Sequence, residues 1–315
     1  MICSPQGPSM NVLRSTFIAL SHSRALRRFL EHSSLGVRLS SRFIAGLTME
    51  DVLRVAAEVN GQGIAVTLDS LGESVTSESE AQRAAQVYHQ LLDEIATRSL
   101  NANVSVKLTQ MGLELSPALA ESNAGSLAEH ARSLGNFVRI DMEDSRLTQV
   151  TLEIVQRLHA SHNGAVGVVV QSYLYRSEAD IEQLLANGIR VRLCKGAYNE
   201  PPSVAFPRKS EVDANYASLS RRLLQSPVYH ALATHDPAMI DAAKEFASGH
   251  GIGPDRFEFQ MLYGVRRDLQ RSLVRDGYRV RVYVPFGSEW YPYFMRRLAE
   301  RPANVLFLLR NYFRS

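Results

Sequence analysis

Cysteine is nearly missing from this 315-residue chain, which carries only Cys3 and Cys194. Two such residues cannot build a disulfide framework, so a reducing, cytosolic setting suits the composition better than a secreted one. Neither thiol has a metal-site partner near it in the sequence. Long apolar runs are also lacking: the longest, such as 166–170 and 305–309, fall far short of the roughly 20 residues that span a bilayer. There is no large excess of one charge, since 35 basic residues face 32 acidic ones for a net charge of +3. That balance argues against a nucleic-acid partner and for small-molecule chemistry. No G-x-G-x-x-G follows a strand pattern, no H-E-x-x-H occurs and no Walker sequence is present, which disfavours a Rossmann cofactor domain. His159 and His162 could share a helix face, but without a carboxylate cluster they read as surface residues and not as metal ligands.

What is present is an ordinary globular composition, 45% hydrophobic and 21% charged, long enough for one large α/β barrel or two smaller domains. From about residue 60, short β-branched runs alternate with longer helical patterns, the mark of βα units and a parallel sheet. Eight runs stand out, at 64–68, 104–108, 137–141, 166–170, 189–193, 228–233, 257–261 and 279–284. Helical patterns lie between them at 77–98, 125–133, 146–161, 177–187, 211–225, 237–250 and 266–276, with a last one at 288–300. Ser177 and Asp180 have capping-box spacing, Asp236-Pro237 pairs a cap residue with a first-turn proline, and Gly188 and Gly277 mark helix ends. The expected fold is a (β/α)8 barrel occupying 48–315, with no low-complexity linker inside it. Ahead of it, 1–47 carries Arg14, Arg24, Arg27, Arg28, Arg38 and Arg42 against the single acid Glu31. That segment has the look of a transit peptide, but reads more simply as basic amphipathic helix packing on the barrel; a membrane-surface role is a third reading.

Catalytic groups in such barrels gather at the C-terminal ends of the strands. Those ends supply Lys107, Asp141, Gln171, Arg192 with Lys195, His235, Gln260 and Tyr283. Asp141 can orient a lysine or a substrate amine; the competing duty of helix N-cap falls better to Asp144 or Ser145. Lys107, one strand away, is its natural partner. Arg192 and Lys195 flank Cys194 ahead of Gly196, where backbone can approach a ligand closely; a solvated strand end with a turn glycine is the plainer reading. Cys194 reads as a small buried residue, not a nucleophile. In the last helix Tyr293, Arg296 and Arg297 stand at i, i+3 and i+4, so both guanidiniums and the phenol can share a face and grip a carboxylate. A basic pair complementing the helix dipole is the alternative.

The ordered strings VSVKLTQMG, VRIDMED, VVVQSYLYRS, VRLCKGAYNEP, ATHDP and VRVYVPFGSEWYPYFMRRLAERP resemble the successive motifs of bacterial monofunctional proline dehydrogenases, over about residues 40–312. The resemblance implies a distorted barrel that binds FAD, oxidises L-proline to 1-pyrroline-5-carboxylate by hydride transfer to the flavin, and passes electrons to a membrane quinone. It implies that the last helix lies over the barrel mouth, with an earlier helix in its usual place. It makes Lys107, Arg296 and Arg297 carboxylate ligands, lines the pocket with Tyr283 and Tyr293, and puts Asp141 and Arg192 at the reaction centre. Met142, Gln171, Lys195, Gly196, Ala197, Thr234 and His235 fall at flavin-contacting positions. No aldehyde dehydrogenase sequence follows, so oxidation is expected to stop at pyrroline-5-carboxylate, in a cytoplasmic protein with peripheral membrane contact. A competing class is a Schiff-base aldolase using Lys107 or Lys195, and a non-enzymatic binding barrel is a third.

Overall fold

The computed structural model describes residues 40–300 except 163; the expectations for 1–39 and for the chain after 300 lie outside the described residues. Eight parallel strands close into a barrel in sequence order: β1 (Ala65–Ser70), β2 (Ala102–Val106), β3 (Val138–Ile140), β4 (Val166–Gln171), β5 (Arg190–Cys194), β6 (His230–Ala233), β7 (Phe257–Leu262) and β8 (Arg279–Phe286). Helices α1 (Met49–Asn60), α2 (Glu78–Thr97), α3 (Pro117–Ser133), α4 (Thr148–Ser161), α5 (Ser177–Ala186), α6 (Lys209–Leu224), α7 (Pro237–Gly249), α8 (Arg267–Arg275) and α9 (Trp290–Glu300) complete the described elements, with one 3-10 turn at Ser145–Leu147. The expected (β/α)8 architecture is therefore present, with strand limits shifted by at most two residues.

Strand alternation decides what goes where. Val66, Leu68, Val104, Val106, Val138, Ile140, Val191 and Leu193 are completely buried and belong to one apolar cluster with the helices. Burying each such side chain contributes about 1.5–3 kcal/mol. The alternate positions carry Thr67, Ser105, Arg139, Asp141, Arg192, Glu258 and Gln260, all buried as well. Hydrogen bonds join β3 to β5 and β3 to β8 through Asp141. Those strands are not neighbours in the sheet, so the bonds cross the lumen, and the lumen is polar.

Local signals behave unevenly. Thr48 caps α1 in a reciprocal box with Asp51, Asp236 caps α7 ahead of Pro237, and Asp144 accepts from the Arg146 amide at 2.9 Å, which leaves Asp141 free as expected. The box expected at Ser177 is not formed: Ser177 is already the first helical residue, and the N-cap position falls to Arg176, which makes no side-chain cap. Ser177 instead donates to the Gln171 carbonyl at 2.5 Å, and Asp180 pairs with Arg176 at 2.8 Å. Helix α3 starts at Pro117, eight residues before the expected boundary. Gly125, which suggested that boundary, lies inside the helix, where a Cβ would come within 3.2 Å of Leu158 on α4; it serves helix packing.

Both ends of the described chain converge on the C-terminal mouth of the barrel. Helix α1 packs against β8 and β1, the slot that the eighth helix of a regular barrel would fill. Helix α9 is thereby displaced, as expected, and buries Trp290, Tyr291, Tyr293, Phe294 and Met295 against Phe43, Ile44 and Leu71. The stretch before α1 is pinned to the end of β8 by Ala45 donating to the Pro285 carbonyl at 2.9 Å and Gly287 donating to that of Gly46 at 3.0 Å.

One lumen position is testable by packing alone. A Cβ on Gly167 of β4 would lie 2.5 Å from the Arg190 carbonyl and 2.7 Å from the Phe137 ring. Gly167→Ala is expected to lower unfolding stability by about 1–3 kcal/mol, the usual cost of overpacking a filled interior. Urea denaturation of the variant checks this; a stability equal to the parent's would contradict the described packing.

Candidate active site

The polar lumen becomes a defined constellation at the ends of β1, β2, β3, β5 and β8. Asp141, just past β3, is its hub. One carboxylate oxygen accepts from the Ser105 hydroxyl at 2.6 Å and from Arg192 Nη1 at 2.8 Å, and the other accepts from the Tyr283 hydroxyl at 2.9 Å. Arg192 lies 5.4 Å from the centre of the Tyr283 ring. Its Nε and Nη2 are buried and have no hydrogen-bond partner, so a cation oriented by Asp141 keeps two donors for something else. Burial, then Asp141 and Asp69, raise the Tyr283 pKa and keep this phenol a donor.

Lys107 belongs to the same cluster but not with the expected partner. Its ammonium lies 3.5 Å from both carboxylate oxygens of Asp69, and Asp141 is taken by the three donors above. The difference has a simple origin: β1 extends to Ser70, so Asp69 stands on the same alternate face as Thr67 and reaches the lumen beside β2. Asp69 is further tied to Tyr88, whose hydroxyl lies at 3.2 Å and also touches Gln110 at 3.1 Å. Burial opposes the Lys107 charge, but Asp69, Asp141, Glu73 and Glu143 outweigh it and hold its pKa above the usual lysine range. An ammonium so held is not the neutral amine that Schiff-base chemistry requires.

The remaining expected residues form a second group along the ends of β4 to β7. Lys195 sits between Asp213 at 2.5 Å and Asp236 at 2.8 Å, directed at α6 and α7 and not at Asp141. Gln171 donates to the Glu143 carbonyl at 2.8 Å and accepts from the Ala197 amide at 3.4 Å. Gly196 has φ +124°, and a Cβ there would fall 2.4 Å from the Tyr173 ring; only glycine permits this approach. Thr234 accepts from the Asp236 amide at 3.1 Å. His235 Nε2 accepts from the Leu262 amide at 2.9 Å, so a neutral ring carries its proton on Nδ1. Met142 is buried beside the hub. Burial pushes the Cys194 thiol up to about 12, in keeping with a residue that is no nucleophile.

The three α9 residues have different neighbours in this structure. Arg296 pairs with Glu73 at 2.8 Å, linking α9 to the loop after β1. Arg297 lies 5.1 Å from the centre of the Tyr293 ring, and Tyr293 is buried. Asp69, Glu73, Tyr88, Ser105 and Glu143 were missed in the sequence. Two of them carried a readable signal: Asp69 is two residues beyond Thr67, and Ser105 is two before Lys107, so each shares its neighbour's strand face.

Glu143 supplies a pH test. Its carboxylate accepts from the Thr109 amide at 3.1 Å and hydroxyl at 2.5 Å. Burial pushes its pKa up to about 7, against the pull of those bonds and of Lys107. The folded state therefore keeps a proton that the unfolded chain loses near pH 4.5. This stabilisation is fully present below that pH and is lost as pH rises through about 7. Glu143→Gln removes the dependence, and its stability relative to the parent is expected to improve by up to about 3 kcal/mol from pH 4.5 to 7.5. Denaturant titrations at the two pH values check this; a constant difference would contradict the raised pKa.

Comparison with known proteins matches residues 52–310 to the family model described as proline dehydrogenase. Proline dehydrogenase 2 of Bacillus subtilis is 42% identical over 300 residues, 95% of this chain and 98% of that protein. Proline dehydrogenase of Deinococcus radiodurans is 42% identical over 279 residues, 86% and 89% of the two chains. Among solved structures, proline utilization A (PutA) from Bdellovibrio bacteriovorus inactivated by N-propargylglycine superposes with a TM-score of 0.80 at 25% identity. That match covers 93% of this chain and 37% of the longer PutA chain.

Proposed function

The chain belongs to the proline dehydrogenase family, and from that premise we propose that it oxidises L-proline to 1-pyrroline-5-carboxylate at the barrel mouth, the first step of proline breakdown towards glutamate. Proline loses a hydride from C5 and a proton from nitrogen, which forms the ring C=N bond. The observation that carries this reading is Arg192, buried and held by Asp141 yet left with two unpartnered donors.

The cofactor is FAD, which when bound supplies the two-electron acceptor that no side chain can provide. The residues suit it. The free Arg192 donors match an acceptor-rich ring system, and Gly196 allows backbone to come close to a flat ligand. Met142, Gln171, Lys195, Gly196, Ala197, Thr234 and His235 would hold it. Electrons then leave to a membrane quinone, which calls for peripheral membrane contact; among the described residues no helix is long and apolar enough to cross a membrane.

The chain's own part is orientation and charge. Lys107 with Arg296 and Arg297 grips the proline carboxylate, since arginine forks match two oxygens and fix the ring relative to the acceptor. For Arg296 this means exchanging Glu73 for substrate. Tyr283 and Tyr293 flank the ring, and Asp141 positions Arg192 against developing negative charge. The aldolase reading is disfavoured because Lys107 and Lys195 are both held in ion pairs.

Proline turnover with an artificial dye acceptor tests the reading. Arg297→Ala is expected to raise the proline KM about 10- to 100-fold, the loss of a charge-assisted hydrogen bond, while the purified variant stays yellow. Asp141→Ala is expected to lower kcat by about tenfold or more, because Arg192 loses its orientation. A parent protein without proline turnover would refute the function, and an Arg297→Ala protein that lost its flavin would refute the assignment of that residue to substrate.

A further inference from the structure

The face of the barrel opposite the active site, at the N-terminal ends of the strands, holds a cavity of about 650 Å³. Its lining contains four arginines, Arg132, Arg139, Arg190 and Arg281, and a single carboxylate, Glu258. That carboxylate is fully engaged: it accepts from Arg281 Nε at 2.8 Å, from Gln260 at 2.5 Å and from the Tyr229 hydroxyl at 3.2 Å. Arg132 is taken by Glu129 at 2.6 Å. For Arg139 and Arg190 the cavity lining offers no second carboxylate.

Arg139 is the more telling of them. It is only 4% exposed, and among the described residues no carboxylate lies within ion-pair distance of it. Its side chain runs across Gly167, where a Cβ would come within 2.8 Å of Nη1. Nη1 donates to two carbonyls, Val168 at 3.2 Å and Arg190 at 2.7 Å. These orient the guanidinium but do not neutralise it, and its Nε is buried with no partner. Burial, then Arg192 and, further down, Arg281 and Arg190, press its pKa well below the arginine range and outweigh the opposing pull of Glu258, as for a cation short of counter-charge. Arg190 approaches from the exposed side: the two guanidiniums lie 4.8 and 5.2 Å from the centre of the same Phe137 ring. A buried guanidinium with no carboxylate in contact is costly, and such a group ordinarily pairs with an anion.

We propose that this cavity is a binding site for a small oxyanion, a phosphate or a dicarboxylate, held between Arg139 and Arg190 at the end of the barrel remote from the reaction. The glycine at 167, the shared Phe137 ring and the saturated Glu258 make it a built site and not a loose basic patch. The anion supplies the charge that the lumen lacks below Arg192. It is distinct from any ligand at the mouth, so the test does not depend on proline turnover.

Isothermal titration calorimetry on the purified flavin-loaded protein, at constant ionic strength set with KCl, decides the matter. Inorganic phosphate and malonate are titrated separately, and the arm that saturates identifies phosphoryl or dicarboxylate chemistry. Saturable one-to-one binding of either anion is expected. Arg190→Gln, a change at an exposed side chain that leaves the mouth untouched, is expected to weaken binding about tenfold or more. Arg139→Gln is expected to do the same and serves as the second variant. Failure of both anions to saturate the parent protein would overturn the proposal, as would binding that Arg190→Gln leaves unchanged.

Discussion

Asp141 and Arg192 meet inside the barrel at 2.8 Å, and most of the interior is arranged around keeping that pair together and oriented. Each charge carries a desolvation cost of several kcal/mol, which mutual attraction offsets only when the geometry is good and the remaining lone pairs are filled. Ser105 and Tyr283 fill those of Asp141, and neither could do so from a neighbouring helix. The strands must therefore turn hydroxyls, carboxylates and guanidiniums inward. The hydrophobic stabilisation that a packed lumen would provide comes instead from the outward valines and leucines against the helices.

Two further features follow from that choice. A polar lumen needs a cover, and displacement of α9 from the barrel wall by α1 provides one, fastened through the Trp290 and Phe294 cluster and the ion pair from Arg296 to Glu73. It also demands local charge balance. At the mouth Lys107 faces Asp69, and Lys195 faces Asp213 and Asp236. At the opposite end Arg139 has only the more distant pull of Glu258, which Arg281 already engages. The Arg296 pair with Glu73 suits a closing contact that substrate carboxylate can replace, because both side chains are partly exposed and an ion pair in that setting is weak.

The eight strands, their order and the strand-end position of Asp141 and Lys107 were legible because period-two apolar runs and intervening helical patterns are strong signals; Arg192 and Tyr283, expected at strand ends, lie inside β5 and β8. The misreadings have local causes. Ending β1 at residue 68 hid Asp69 and handed Lys107 the wrong partner. Gly125 read as a boundary when it was a helix contact, and Ser177 read as a cap when its hydroxyl goes to the Gln171 carbonyl. The separate fates of Arg296 and Arg297 could not be read from their i+3 and i+4 spacing to Tyr293, because Glu73 lies more than two hundred residues away in sequence. The buried charge of Arg139 is likewise a property of the closed barrel. In the sequence it is one basic residue in a strand.

The visible spectrum of the purified protein under anaerobic titration with L-proline tests the account most directly. A yellow protein whose visible flavin absorption is bleached in proportion to added proline is the predicted result. A colourless protein, or a yellow one that NADH bleaches and proline does not, would contradict it.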